Sequence, residues 1–244
     1  MPSDLLLEIT VESIDSALAA EHAGADRIEL CAELNHGGTT PAVAAMRKVH
    51  EELEIPVFPI IRPRKGDFVY SEAEFDAMRR DIVVARDLGM EGVVLGILRP
   101  DHSIDIERTR ELVELAQPLD VTFHRAFDYA TDLMRALDDV VETGAKRILT
   151  AGGARSAPEG AATLRNLVQT AGDRIIVLPG AGLHAGNIAK LAAETQAREF
   201  HSGLGGILPY GSSNVARFEA EVHAMKRALR TSGTAAQAQS GFGA

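Results

Sequence analysis

Short runs of apolar residues alternate along the chain with longer stretches in which apolar residues recur every three or four positions. The short runs predict eight strands, near residues 6–10, 26–31, 56–61, 91–95, 119–124, 146–150, 174–178 and 197–201. The stretches between them, such as 72–88 and 133–143, have the spacing of amphipathic helices. The pattern therefore predicts eight strands that alternate with helices.

A recurring local pattern precedes several of these strands: a glycine, then a charged residue and an apolar run. It reads AGADRIEL at 23–30, LGMEGVVL at 88–95 and TGAKRILT at 143–150, which indicates repeated strand–helix units. Eight such units in 244 residues predict an α/β fold, a single (β/α)8 barrel of the TIM type. The first strand–helix turn also lacks the GxGxxG sequence of an open dinucleotide-binding sheet.

The chain continues past the eighth strand with a helix-like stretch near 214–230. We therefore expect one barrel domain over residues 1–230, including this C-terminal extension. The final segment, 231–244, is small, polar and weakly patterned, so we expect a disordered tail or an oligomer contact.

Composition excludes several classes of protein. The net charge of −10 is spread along the chain, which argues against binding to nucleic acid or to an anionic membrane. The chain has no run of eighteen apolar residues, and its N-terminal sequence lacks the pattern of a signal peptide. The single cysteine, Cys31, cannot form an internal disulfide. We therefore expect a cytoplasmic protein.

Strand parity predicts a polar barrel interior. Because side chains alternate along a strand, Leu7 and Ile9 should face the helices while Glu8 and Thr10 face inward. The same rule turns inward Glu29, Cys31, Arg62, Thr122, His124, Glu199 and His201. Charges inside a core cost several kcal/mol unless they are paired or solvated. The interior should therefore be either a structural ion-pair network or a functional site.

Active sites of this fold lie at the C-terminal ends of the strands, where several of these residues should converge. Those expected to act in catalysis are Glu8, Glu29, Arg62 and His124. Those expected to bind substrate are Arg64, Arg125, Asp128, Thr150, Gly152, Gly153, Gly180, Gly182 and His201. The glycines could bring backbone N–H groups to a phosphate or carboxylate, or simply form tight turns. Surface salt bridges are the alternative for the charged residues of the rim.

Arginines also stand at the opposite ends of the strands. Arg27, Arg147, Arg174 and Arg198 each begin a predicted strand. We interpret them as structural and expect them to pair across the bottom of the barrel.

No CxxC or HxxxH pair marks a metal site by local spacing. Cys31 with His124 or His201 would combine a thiolate and an imidazole, donors that suit Cu(I). A small buried core cysteine is the alternative interpretation.

Seven segments in order across nearly all of residues 5–203 resemble the CutC family. They are LEITVESIDSALAAEHAGADRIELCAEL, GGTTP, PVFPIIRPRKGDFVYS, VTFHRAFD, RILTAGG, PGAGL and REFHSG. The resemblance implies a TIM-type barrel that is cytoplasmic, forms a homo-oligomer such as a dimer or tetramer, and is described in terms of copper binding or tolerance. It ties copper binding to two cysteines. The second is Cys31 here, whereas Thr10, whose hydroxyl is a poor ligand for Cu(I), stands at the first position.

Two functional hypotheses follow, with a purely structural role as a third. As a metal-handling protein, the chain would bind Cu(I) through Cys31. As an enzyme of the isomerase, lyase or aldolase type, it would act on a small anionic or phosphorylated carbonyl compound. Arg62 would then orient the anion, and His124 or a glutamate would transfer a proton.

Overall fold

The computed structural model describes the backbone of residues 5–204 and 214–240 and the side chains of residues 5–204 and 214–231. Strands and helices alternate along the chain. The strands are β1 Leu6–Val11, β2 Arg27–Leu30, β3 Val57–Pro59, β4 Gly92–Leu95, β5 Asp120–Phe123, β6 Arg147–Thr150, β7 Ile176–Pro179 and β8 Glu199–Ser202. The helices are α1 Ile14–His22, α2 Val43–Glu52, α3 Glu72–Asp87, α4 Ile106–Ala116, α5 Leu133–Thr143, α6 Ala161–Ala171, α7 Ile188–Thr195 and α8 Val215–Ser240.

The eight strands are parallel and form a ring. Hydrogen-bonded ladders give the orders β3-β2-β1-β8 and β4-β5-β6-β7. A parallel bridge between Ile60 and Val94 joins β3 to β4, and β7 packs beside β8. The prediction of a (β/α)8 barrel is therefore confirmed.

Local sequence accounts for the helix boundaries that the hydrophobic pattern predicted. Helix α3 begins after Ser71, whose hydroxyl accepts from the N–H of Glu74 while the Glu74 carboxylate accepts from the N–H of Ser71. This reciprocal cap satisfies backbone donors that the first turn leaves unpaired. Helix α5 is capped by Asp132 and ends at Gly144, whose φ of 85° suits glycine.

The inward and outward faces of the strands agree with strand parity. Leu7, Ile9 and Val11 are buried in the apolar layer between strands and helices. Glu8 and Thr10, which alternate with them, contact side chains of other strands inside the barrel. The polar interior is thus a feature of the fold.

An ion-pair network fills the end of the barrel where the strands begin. Arg27 pairs with Glu8 and, at 2.7 Å, with Glu199. Arg147 pairs with Glu199 at 2.9 Å and with Asp120 at 3.1 Å. We call Glu8, Arg27, Arg147 and Glu199 the lower network. Arg27 and Arg147 therefore pair across the bottom of the barrel, as predicted.

The same prediction is wrong for the other two arginines. Arg174 lies before β7, is exposed and pairs with Asp138 at 2.8 Å on the outer surface. Arg198 immediately precedes the inward-facing Glu199, so parity turns it outward, and it is exposed.

Helix α8 packs against α1 and α7 through the buried side chains of Val222, Met225 and Leu229. Its backbone continues through residues 231–240, which belong to the segment predicted to be a tail; residues 241–244 lie outside the described part. That this segment is a disordered tail or an oligomer contact stays a prediction. Over residues 5–204 and 214–240, no helix combines the length and apolar character that a bilayer crossing needs.

Candidate functional site

A cavity of about 320 Å³ opens at the C-terminal ends of the strands. Its apolar wall includes Leu34, Ile60, Phe68 and Leu149. The polar side chains in its lining are Thr10, Glu29, His124, Arg125, Arg155 and His201. It lies where active sites of this fold are found and brings together residues from β1, β2, β5 and β8 with the loop after β6.

A larger depression of about 770 Å³ lies at the opposite end of the barrel. Its lining includes Arg174, Ile176 and Arg198 around the outer edge of β7 and β8. We place the candidate site at the smaller cavity because buried polar side chains converge there, and because the opposite end of this fold mainly confers stability.

A continuous chain of hydrogen bonds runs from the lower network to the cavity. Nδ1 of His201 lies 2.6 Å from Oε1 of Glu8, and Nε2 lies 2.9 Å from the hydroxyl of Thr10. The Thr10 hydroxyl in turn lies 2.7 Å from Oε2 of Glu29. We call Glu8, His201, Thr10 and Glu29 the relay. All four are buried, and the last three line the cavity.

Within the relay, one proton can reside either on Glu29 or on Nε2 of His201. Thr10 has one hydroxyl proton and cannot donate to both neighbours. When it donates to Glu29, Nε2 of His201 donates to Thr10 and the ring is an imidazolium. When Glu29 carries the proton, the directions reverse and the ring is neutral. Acid–base chemistry at the cavity can therefore draw on His201 through Thr10.

The charges around the relay shift its pKa values in different directions. Burial alone would raise the pKa of Glu8, but Arg27 and then His201 lower it from 4.5 to about 2. Burial raises the pKa of Glu29 despite the opposing effect of His201. For His201, burial favours the neutral ring, yet Glu29 and Glu8 together raise its pKa. Glu8 is thus a fixed anion, and Glu29 is the carboxyl that holds a proton more readily.

Arg62 does not line the cavity, which corrects the prediction that it shares one pocket with His124. Its Nη1 donates to the carbonyls of residues 36–38, at 2.9 Å for Gly38, and its Nη2 donates to the carbonyl of Gly66 at 2.8 Å. The guanidinium also lies 4.8 Å from the centre of the Phe68 ring. Through these contacts Arg62 joins two loops, while its buried Nε has no hydrogen-bond partner within the described residues.

His124 lies directly after β5 and lines the cavity, as predicted. Its Nδ1 accepts from the N–H of Ala126 at 3.2 Å. Burial, and then the nearby positive charge of Arg62, lower the pKa of His124 from 6.5 to about 3. The ring is therefore neutral but only weakly basic, which makes it a poor candidate for the proton transfer that the sequence suggested.

Asp128 organises the loop after β6. It accepts from the hydroxyl of Thr150 at 2.5 Å and from the N–H groups of Ala151 and Gly153 at 3.0 Å. The N–H of Gly152 donates to Thr150 at 2.8 Å. Because these donors already have internal acceptors, the structure favours tight turns over the predicted anion cradle at Gly152 and Gly153.

The glycines after β7 differ from one another. The N–H of Gly180 donates to the carbonyl of Thr150 at 2.9 Å, and a Cβ at Gly180 would come within 2.4 Å of Leu149. Gly180 therefore allows close packing. Gly182 has a φ of 72° and lies in the cavity lining.

Of the two arginines predicted at the rim of the site, one lies in the cavity lining and the other does not. Arg64 pairs with Glu74 at 2.6 Å and Asp67 at 2.9 Å, away from the cavity lining, as the salt-bridge alternative expected. Arg125 lines the cavity, and its Nε donates to Asp128 at 2.8 Å. Its partly exposed guanidinium is held at the cavity mouth.

Arg155 is a cavity residue that the sequence analysis did not single out. It is exposed in the loop after β6 and has no hydrogen bond or ion pair to any residue in the described part of the chain. The only signal in the sequence was its place two residues after the pair Gly152 and Gly153, which follows a predicted strand. It supplies a cation whose charge no described carboxylate neutralises.

Comparison with known proteins assigns the chain to a family. The model of the CutC family matches residues 5–206. The chain belongs to the CutC family.

Several CutC relatives cover most of this chain. A CutC family protein of Chromobacterium violaceum is 51% identical over 203 residues, which are 83% of this chain and 82% of the relative. The human copper homeostasis protein cutC homolog is 44% identical over 80% of this chain and 72% of its own length. A solved CutC structure from Streptococcus agalactiae has a TM-score of 0.78 and 33% identity, covering 81% of this chain and 98% of that chain.

The barrel itself is shared more widely than the CutC family. A phosphoribosylanthranilate isomerase from Thermotoga maritima has a TM-score of 0.62 at 15% identity and covers 93% of this chain and 99% of its own. At that identity the likeness establishes the fold alone.

In this CutC-family chain, Cys31 is a poor candidate for a copper ligand. It is 1% exposed and packs in an apolar cluster with Phe58, Ile60 and Val94. Burial, then Glu29 and Glu12, raise the pKa of its thiol, whereas metal binding needs the thiolate. Among the residues that the structure describes, no group of three or more His, Cys, Asp or Glu side chains could hold a metal ion. The surroundings of Cys31 do not fit a Cu(I) site.

Proposed function

We propose that this CutC-family protein contributes to copper homeostasis without holding Cu(I) at Cys31. The first part is supported by the 44% identity to the human relative named for copper homeostasis. The second part is supported by the buried single thiol and by the hydroxyl of Thr10, which is bonded to Glu29 and His201.

Anaerobic titration with Cu(I) against a competing chelator tests this proposal. We expect weak binding that Cys31→Ser leaves unchanged, because one protonated thiol offers too little to a soft cation. Thr10→Cys, which supplies the second thiol of the family pattern, is the matched variant and should bind Cu(I) more tightly. A tight one-to-one site that disappears in Cys31→Ser would contradict the proposal.

A second candidate function is acid–base catalysis on a small anionic compound that bears a carbonyl group. The observation that favours it is one cavity lined by the Glu29 end of the relay and by the cations Arg125 and Arg155. Arg155, with Arg125 beside it, binds the anionic group and so orients the carbonyl carbon towards the proton-exchanging end. Glu29 exchanges the proton, and His201 replenishes it through Thr10.

Thermal-shift measurements with dihydroxyacetone phosphate and pyruvate as probes test this function. A ligand of the native state raises stability by about 2.7 kcal/mol at one hundred times its Kd. We expect stabilisation of the wild type, loss of most of it in Arg155→Ala, and retention in Arg174→Ala, an exposed arginine far from the cavity. Equal shifts in the two variants, or none in the wild type, would remove the support for this function.

We also propose that the protein acts in the cytoplasm as a homo-oligomer, a dimer or a tetramer, and binds neither nucleic acid nor membranes. The net charge of −10 supports the lack of anionic partners. Light scattering after size-exclusion chromatography tests the assembly, and a monomer mass would contradict it.

A further inference from the structure

We propose that His124 is a hydrogen-bond donor of fixed tautomer that binds the carbonyl oxygen of the cavity ligand through Nε2–H. It therefore polarises that oxygen and does not transfer a proton. This inference deepens the second candidate function and rests on it for the identity of the ligand.

The first support is the bond at the other ring nitrogen. The N–H of Ala126 donates to Nδ1 of His124 at 3.2 Å, so Nδ1 must carry a lone pair. In a neutral imidazole the remaining proton then resides on Nε2. The short 3-10 helix Arg125–Tyr129, which begins directly after His124, holds this N–H in place.

The second support is that Nε2 has no partner. Within the described residues it is buried without a hydrogen bond, although the residue lines the cavity. His124 as a whole is 4% exposed. A buried donor left without an acceptor costs about 1–3 kcal/mol. An acceptor oxygen of a ligand that reaches Nε2 from the cavity recovers that cost.

The third support is that the surroundings fix the ring and keep it neutral. The His124 ring lies 4.9 Å from the ring of Phe68. A Cβ at Gly96 would come within 2.5 Å of Nδ1, so the glycine makes room for the ring. Arg62 adds a positive charge nearby, and no described carboxylate pairs with His124. A neutral imidazole donor suits a carbonyl oxygen because it need not give up its proton.

The arrangement of groups defines the class of ligand. Arg155 and Arg125 supply cations, Nε2 of His124 supplies a neutral donor, and Glu29 exchanges a proton. A ligand that uses all three has an anionic group, a carbonyl oxygen and an exchangeable proton near that carbonyl. Small oxo acids and phosphorylated ketones meet this description and suit a cavity of about 320 Å³.

Nitrogen-15 NMR of the histidine side chains in the ligand-free protein tests the tautomer without any assumption about the ligand. His124→Gln identifies the signals of His124 by their loss. We expect an unprotonated Nδ1 and a protonated Nε2 that do not change between about pH 5 and pH 8, because the pKa lies near 3. A ring that titrates near its usual pKa, or one protonated at Nδ1, would overturn the inference.

Binding of pyruvate and propionate, which differ in the carbonyl oxygen, tests the contact itself. We expect the wild type to bind pyruvate about tenfold more tightly than propionate, which corresponds to about 1.4 kcal/mol. His124→Gln keeps an N–H donor of similar reach and should retain much of this preference. His124→Met removes the donor and should abolish the preference.

The outcomes separate the inference from the function on which it rests. If wild type and His124→Met prefer pyruvate equally, the donor role is wrong even if the cavity binds anions. If neither probe binds the wild type, the ligand contact and the acid–base function both fail, and the NMR result alone judges the tautomer. Melting curves of both variants show whether each one is folded.

Discussion

Two layers of polar side chains inside the same barrel differ in how their groups are paired: every charged side chain of the lower network has an ion-pair partner, although Nη1 of Arg147 makes no hydrogen bond within the described residues. In the lower network, the carboxylates of Glu8 and Glu199 pair with the guanidinium groups of Arg27 and Arg147. Around the cavity, Nε2 of His124 has no partner among the described residues, and Arg155 pairs with none of them.

The difference indicates how to interpret buried charge. Desolvation makes a buried ion costly, and a well-placed partner of opposite charge offsets the cost, so the lower network can be purely structural. An unpartnered buried donor on a residue that lines a cavity has no such compensation within the described chain. The relay connects the layers, because Glu8 belongs to the lower network while Glu29 faces the cavity.

The largest expected effect comes from breaking the lower network. Glu8→Gln keeps the size of the side chain but leaves Arg27 facing a neutral amide. Removing one partner of a buried ion pair costs about 3–5 kcal/mol. Urea denaturation should show this loss, whereas Arg174→Met, which breaks an exposed pair, should change the free energy of unfolding by about 0.5 kcal/mol or less. A loss below about 1 kcal/mol in Glu8→Gln would mean that the two layers do not differ as described.

The pH dependence of stability sharpens the same point. The folded pKa of Glu8 is about 2, below its usual 4.5, so its contribution is present above pH 4.5 and is lost as pH falls towards 2. The difference in unfolding free energy between wild type and Glu8→Gln should shrink over that window. Glu29, whose pKa is raised by burial and in part by Glu8, acts in the opposite sense, but it does so above pH 4.5 and therefore outside this window. A difference that stays constant from pH 5 to pH 2 would contradict the assignment.

The next largest effect should come from Arg62→Ala. Arg62 donates to four backbone carbonyls, and its removal leaves acceptors such as those of Gly38 and Gly66 without a donor. Each unsatisfied buried group costs about 1–3 kcal/mol, and relaxation of the loops limits the sum, so we expect a total of about 2–4 kcal/mol. Arg62→Lys, which keeps the charge but loses the fork of donors, should recover part of it. Wild-type stability with lost ligand binding would instead restore the role predicted from the sequence.

The sequence predicted side-chain directions correctly within strands, where the direction alternates with a period of two residues. The alternation along β1 and β8 is enough to turn Glu8, Thr10 and His201 into the barrel, because successive side chains of a strand face opposite sides. It also put His124 at the correct end of β5. It could not give the proton shared along the relay, since that depends on distances near 3 Å between different strands.

The sequence did not predict which arginines reach the cavity, because this depends on the path of a long side chain or on the conformation of a loop. Arg62 was predicted to end a strand but follows β3 by three residues, and its guanidinium extends to the loop carbonyls of residues 36–38. Arg155 was missed because it lies in an irregular loop, where no period relates sequence position to direction. Arg155 therefore lies in the cavity lining, whereas Arg62 does not.

The smallest expected effect on stability is that of Arg155→Ala. Its side chain is exposed and has no partner among the described residues, so its removal breaks no described hydrogen bond or ion pair. Surface substitutions of this kind change the free energy of unfolding by about 0.5 kcal/mol or less. Urea denaturation of Arg155→Ala beside Arg62→Ala measures the contrast directly, on two arginines at the same end of the barrel. A loss of about 2 kcal/mol or more in Arg155→Ala would mean that Arg155 stabilises the fold. The cavity layer would then be part of the structural network, and the distinction between the two layers would fail.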